Sequence, residues 1–240
     1  MFNYLKIIRA EDVDMKKRIF SSVVAVGVSL ISLVLCTFCD CAGLTAFAAE
    51  SKDIGIRVDF EYVIPDSFNW CTYYVVVATN TSGKDIAVSA DFAAIDTNGN
   101  VISKTHDYAE AVKKDQQFIL YGQFQNKEIG SGVRYQYQYK TSDTENCTYT
   151  SVDLDASNIG GCVEVSATNY SEKDIQGVGV RSVFFRNGKA VAFDTVNIAD
   201  VGYVFYGGST NSQVLGHNAG SFDDYIITYT SAGNQEIRDF

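Results

Sequence analysis

Between residues 54 and 62 every even position is apolar (Ile54, Ile56, Val58, Phe60, Tyr62), and Gly, Arg, Asp and Glu fill the gaps. Between 133 and 140 the apolar set is Val133, Tyr135, Tyr137 and Tyr139, separated by Arg and Gln. Residues 162–167 do the same, with Val163, Val165 and Ala167 set against Cys162, Glu164 and Ser166. A period of two is that of a strand with one face in a core and the other in water. Past the first fifty residues no stretch has the 3.6-residue period of an amphipathic helix, and Tyr108 to Lys114 has room for a single turn at most. Asn98-Gly99 and Asn187-Gly188 supply the positive φ angles of two-residue hairpins. Roughly seven short strands per hundred residues, without a βαβ rhythm, predict antiparallel β-sandwiches.

The pattern occurs twice. Ala78-Thr79-Asn80-Thr81-Ser82-Gly83-Lys84-Asp85-Ile86 recurs as Ala167-Thr168-Asn169-Tyr170-Ser171-Glu172-Lys173-Asp174-Ile175, identical at seven of nine positions with an offset of 89. The same offset carries Asn98-Gly99 onto Asn187-Gly188. Phe118-Ile119-Leu120-Tyr121-Gly122 matches Tyr203-Val204-Phe205-Tyr206-Gly207 if four residues are deleted, and Tyr135 and Tyr139 fall on Tyr225 and Tyr229. Blocks in one order predict two tandem copies of a domain large enough for its own core. The polar stretch from Thr141 to Asn146 sets the boundary, giving copies at 49–143 and 144–240.

The run Asn80 to Ile86, followed by Phe92, Ile95-Asp96 and Gly99, resembles the FxLYD family of exported bacterial domains. The resemblance covers about seventy residues of each copy. Copy 1 has Phe92-Ala93-Ala94-Ile95-Asp96 in place of the name-giving motif, and copy 2 has Val183-Phe184-Phe185-Arg186. It implies two immunoglobulin-like sandwiches at the cell envelope and brings no catalytic residues.

Ahead of the copies stands an export pattern. Met15-Lys16-Lys17-Arg18 precedes an apolar run from Ile19 to Leu35 and a small-residue stretch ending Ala46-Phe47-Ala48-Ala49. These are the three parts of a secretory signal, with cleavage expected between Ala48 and Ala49 and translation expected to start at Met15. The rival reading keeps the segment as an uncleaved anchor, the only expected link to a membrane. Removing residues 1–48 takes five basic and four acidic residues from totals of 19 and 29, so the net charge moves from −10 to −11. An acidic chain without a basic block is a poor partner for nucleic acid. Cys71, Cys147 and Cys162 remain, an odd number that closes no disulfide framework. The chain ends without a sorting motif or apolar tail, so a secreted or cell-surface location is expected.

Candidate chemistry is sparse. Asp96-Thr97-Asn98-Gly99-Asn100 has its Gly at the fourth position, where a calcium loop needs it at the sixth. His106 and His217 are the two histidines, at non-equivalent places in the repeat and in no nucleophile motif. No catalytic, metal or cofactor site is expected. Of the sequons at Asn80, Asn146 and Asn169, the two that recur beside Lys-Asp-Ile, Asn80 and Asn169, read as turn residues, and the resemblance to a bacterial family implies that none carries sugar. One surface stands out. Where copy 2 alternates cleanly, copy 1 has Tyr73, Val75 and Val77 on the outer face of the same strand, beside Trp70. An apolar stripe there predicts cover by a loop, by copy 2 or by a partner. The expected function is therefore a non-enzymatic binding or spacer protein whose partner is a surface protein or a glycan. The alternative is a carbohydrate-binding module, with Trp70 and exposed tyrosines stacking on sugar rings.

Overall fold

The computed structural model describes residues 55–144 and 152–231. The expected signal segment with Ala46, Ala48 and Ala49, and Cys147 with the Asn146 sequon, lie outside these residues. The chain is nearly all β. The first half contains β1 (Ile56–Pro65), β2 (Cys71–Asn80), β3 (Ile86–Ile95), β4 (Val101–Val112), β5 (Gln117–Gln125), a one-turn α1 (Asn126–Ile129) and β6 (Arg134–Asp143). The second contains β7 (Val152–Asn158), β8 (Val163–Asn169), β9 (Ile175–Gln176), β10 (Val178–Arg186), β11 (Lys189–Ile198), β12 (Val204–Phe205), β13 (Thr210–Leu215) and β14 (Asp224–Ser231). Every strand pair is antiparallel.

Two β-sandwiches result. In the first, sheet β1-β2-β5 faces sheet β4-β3-β6; in the second, β7-β8-β13 faces β11-β10-β14, with the β9-β12 ribbon beside them. Tyr74, Val76, Ala78, Val88, Phe92, Phe118 and Tyr135 fill the first core. Val163, Val165, Ala167, Val180, Phe184, Phe205 and Leu215 fill the second. The inward set expected for residues 163–167 is the one buried, and Tyr137 and Tyr139 pack on the first core beside Tyr135.

The alternation read through 54–62 breaks at Asp59. Val58 pairs with Ala78 and Phe60 with Val77, so Asp59 is the unpaired residue of a β-bulge. One extra residue reverses which side chains face in. Phe60 is half exposed, Tyr62 and Ile64 move to the outer face, and Glu61 turns toward the core side. There its carboxylate accepts from the Tyr74 and Tyr137 hydroxyls at 2.5 and 3.2 Å.

The hairpins also differ. Asn187 and Gly188 have φ of 51° and 73° between the paired Arg186 and Lys189, a two-residue turn as expected. At the other site only Gly99 has positive φ, and the loop spans Asp96–Asn100. The Asp96 carboxylate accepts from the Asn98 and Asn100 backbone N–H groups, closing a longer turn that two-residue geometry does not describe. Tyr108 to Val112 is strand, and the one-turn helix falls at Asn126 instead.

The repeated Asn-x-Ser turn has a physical cause. Asn80 and Asn169 are fully buried. Asn80 Nδ2 donates to the carbonyls of Lys84, Val112 and Lys113, and its Oδ1 accepts from Ser82 N and Oγ. Asn169 does the same with Lys173, Phe205, Tyr206 and Ser171. Each amide thereby satisfies turn carbonyls that would otherwise be buried without donors. Neither amide nitrogen is open to glycosylation.

These bonds make Val112 the counterpart of Phe205, which corrects the match of Phe118–Gly122 with Tyr203–Gly207. Val88 pairs with Ala109 and Ile86 with Val112, while Val178 pairs with Ile198 and Ile175 with Phe205. Residues 110–111 thus correspond to 199–204, and the second sandwich carries four additional residues there. They form a tight turn bridged at Val201 and Val204, with Gly202 and Tyr203 at φ 61° and 67°. The aromatic-rich pentamers had matched by composition, not by place.

Candidate functional site

Of the four candidate contact residues the structure brings three together and leaves one apart. Tyr73, Val75 and Val77 project from the outer face of β2, and the second sandwich lies on them. Val75 and Val77 are 0% exposed. With Ile64 of β1 and Ile119 of β5 they meet Val183 and Phe185 of β10 and Phe193 of β11, while Tyr62, Tyr121 and Ile226 pack at the margin. Phe193 lies 5.2 Å from the Tyr73 ring and 4.7 Å from Tyr121, and Phe185 meets Tyr62 edge-on at 5.4 Å. Burial of each such side chain contributes roughly 1.5–3 kcal/mol. Burial also pushes the Tyr73 and Tyr121 hydroxyls up from the ordinary phenol value.

A largely buried ion pair, with its side chains 13% and 11% exposed, fixes the register of this seam. Arg181 of β10 donates from Nη1 to Asp107 Oδ2 and from Nη2 to Asp107 Oδ1, both at 2.7 Å. Nη1 also donates to the Ile119 carbonyl, and the guanidinium lies 5.0 Å from the Tyr121 ring centre. Asp107 Oδ2 accepts the Tyr121 backbone N–H as well, so one carboxylate ties β4, β5 and the second sandwich. A bidentate guanidinium–carboxylate pair admits little sliding. Ala111 of β4 completes the contact by packing into the second core.

Trp70 does not cover the stripe. It stands at the tip of the β1–β2 loop, 74% exposed, beside Phe68 at 71%, the two rings stacked at 5.2 Å and 29°. The loop is short, and hydrogen bonds hold its backbone. Asp66 Oδ1 accepts the Trp70 N–H at 2.7 Å, the Asp66 carbonyl accepts the Asn69 N–H, and Asp66 N donates to Cys71 O. Asn69 takes φ 58°, a left-handed conformation that Asn tolerates. From the far side Asn126 donates its N–H to the Trp70 carbonyl and its Nδ2 to Asn69 O and Oδ1. Thr72 Oγ1 donates in turn to Asn126 Oδ1. The loop backbone is thereby fixed, and the two stacked rings stand in water at its tip. Phe68 was missed in the sequence because a lone Phe in a polar loop has no periodicity; its spacing of two from Trp70 was the available sign.

The second sandwich has its own exposed apolar turn, with Val201 and Tyr203 at the four-residue insertion and Tyr170 after the buried Asn169. A Tyr at positive φ is strained.

Polar groups elsewhere pair locally. His106 Nδ1 meets Asp91 at 2.8 Å on the outer face of β3-β4, and His217 Nδ1 lies 3.5 Å from Cys162 Sγ. Burial raises the Cys71 thiol above its ordinary value. Among the described residues no group of three or more His, Cys, Asp and Glu could hold a metal, and no helix is long and apolar enough to cross a membrane.

No family model and no curated protein matches the chain. Among solved structures, a red sea bream transglutaminase aligns with a TM-score of 0.23 and 9% identity, covering 73% of this chain and 30% of that one. The chain thus spans less than a third of that enzyme's length, and a likeness at this level carries no argument about activity.

Proposed function

We propose that this chain is an exported, non-enzymatic binding or spacing protein, built from two tandem immunoglobulin-like sandwiches related to the FxLYD family. It acts outside the cell or at its surface, where it contacts a protein or a glycan. The reading rests on one observation, the difference between two apolar surfaces of the first sandwich. The β2 stripe is covered by the second sandwich, whereas Phe68 and Trp70 stay in water on a loop that holds them there. Rigid exposed aromatic area without intramolecular cover marks a contact site. The seam makes the two sandwiches a stiff mount for that tip.

The test uses protein recovered from the medium of producing cells. Terminal sequencing should begin at Ala49. The double variant Phe68→Ser/Trp70→Ser should melt as the wild type does and lose its binding to the envelopes of those cells. Undiminished envelope binding by that variant would place the contact elsewhere.

A further inference from the structure

We infer that the Phe68–Trp70 tip is a platform for the pyranose ring of an uncharged polysaccharide, a step that rests on reading this tip as the contact surface. Size is the first argument. Two aromatic side chains offer roughly 150–250 Å² each, well short of the ~800 Å² per partner of a stable protein–protein interface. A single sugar ring needs no more than that area. Chemistry is the second. A pyranose has an apolar C–H face, which stacks on an aromatic ring, and a hydroxyl rim, which needs uncharged donors and acceptors. Ser67, Asn69 and Gln125 are exposed on and beside the loop, Gln125 pairing with Cys71 at its base, and supply uncharged donors and acceptors. Charge is the third. The chain carries a net −10, the loop's own carboxylate, Asp66, is engaged in holding it, and the exposed Lys127 and Glu128 that follow Asn126 leave no net positive charge there, so neither an anionic lipid surface nor an acidic polysaccharide is favoured. The fixed loop also limits the ordering cost of binding.

Trp70 is the single tryptophan of the chain, so its fluorescence reports on this tip alone. Purified exported protein is titrated with hydroxyethylcellulose, laminarin, xylan and glycol chitin, and run in gels containing each. At least one should shift the emission to the blue, saturably, and retard the protein. Trp70→Ala should abolish retardation, Phe68→Ala should weaken binding about tenfold, corresponding to about 1.4 kcal/mol, and Tyr170→Ala should change nothing. A shift with none of the four, retardation unchanged by Trp70→Ala, or a shift only with phosphatidylcholine vesicles would each overturn the sugar assignment. If envelope binding still falls in the double variant while the polysaccharides fail, the contact surface stands and its ligand is not a sugar.

Discussion

β2 and β8 are the middle strands of corresponding sheets, and their inner faces agree: Tyr74, Val76 and Ala78 in one, Val163, Val165 and Ala167 in the other. Their outer faces do not. Tyr73, Val75 and Val77 stand where the second sandwich has Cys162, just ahead of β8, and Glu164 and Ser166 within it. β7 and β13 add Asp155 and Ser212 opposite Ser166, so the outer face of that sheet is polar and open. The opposite sheets reverse the contrast. The outer face of β3 carries Ser89, Asp91 and Ala93, flanked by His106, Lys104, Gln138 and Gln136, where β10 carries Gly179, Arg181 and the larger Val183, followed by Phe185. Each sandwich therefore has one apolar and one polar outer face, and the two apolar faces are unlike surfaces that meet. Such a head-to-tail contact extends into an array if every module keeps both faces apolar. The inner face of a strand makes the fold, and its outer face decides what the fold is attached to.

That comparison can be broken at several points. Val75→Glu gives β2 the residue β8 carries, and at a fully covered position it should cost about 4 kcal/mol or more, through lost burial and a desolvated carboxylate. Denaturant unfolding checks it. Arg181→Ala leaves Asp107 buried without its partner and should cost about 3 kcal/mol, while Arg181→Met with Asp107→Leu should recover much of that loss. Asn169→Ala removes a donor shared by three carbonyls and should cost about 2 kcal/mol.

A smaller effect belongs to Asp59. Burial raises its carboxyl pKa, but hydrogen bonds from Thr79, Arg57 and Gln117 outweigh that and hold it below the ordinary value. A depressed folded pKa stabilises the fold above the unfolded value and is lost as pH falls through the folded one. Asp59→Asn should therefore make the acid limb of the melting curve shallower below about pH 4. The smallest change is expected for Glu164→Val, which stays within about 0.5 kcal/mol of wild type because its neighbours among the described residues on that face are polar.

Much of the fold was legible because alternation in residues 133–140 and 163–167 is enforced by a core on one side only. The bulge at Asp59 was not, since an inserted residue leaves the composition of the strand unchanged and shows only in its pairing. The Asp96 loop was misread because an Asn-Gly dipeptide does not show that a carboxylate two residues earlier will close a wider turn. The apolar stripe at Tyr73, Val75 and Val77 was visible as a broken alternation, yet nothing in it named the covering surface. Val183, Phe184 and Phe185 are apolar without alternation, so the sequence there marks no outer face. The Asp107–Arg181 pair was invisible: two charged residues 74 positions apart carry no pattern, and only the meeting of β4 with β10 brings them together. At the tip, Trp70 could be singled out by type, whereas its rigidity depends on Asn126, reached through the far strand.

Calorimetry of the wild-type chain tests most directly the claim that the covered β2 face makes the two sandwiches one body. The account predicts a single transition whose calorimetric and van't Hoff enthalpies agree, and two separated transitions in Val75→Glu. Two independent transitions in the wild type, unchanged by Val75→Glu, would contradict it.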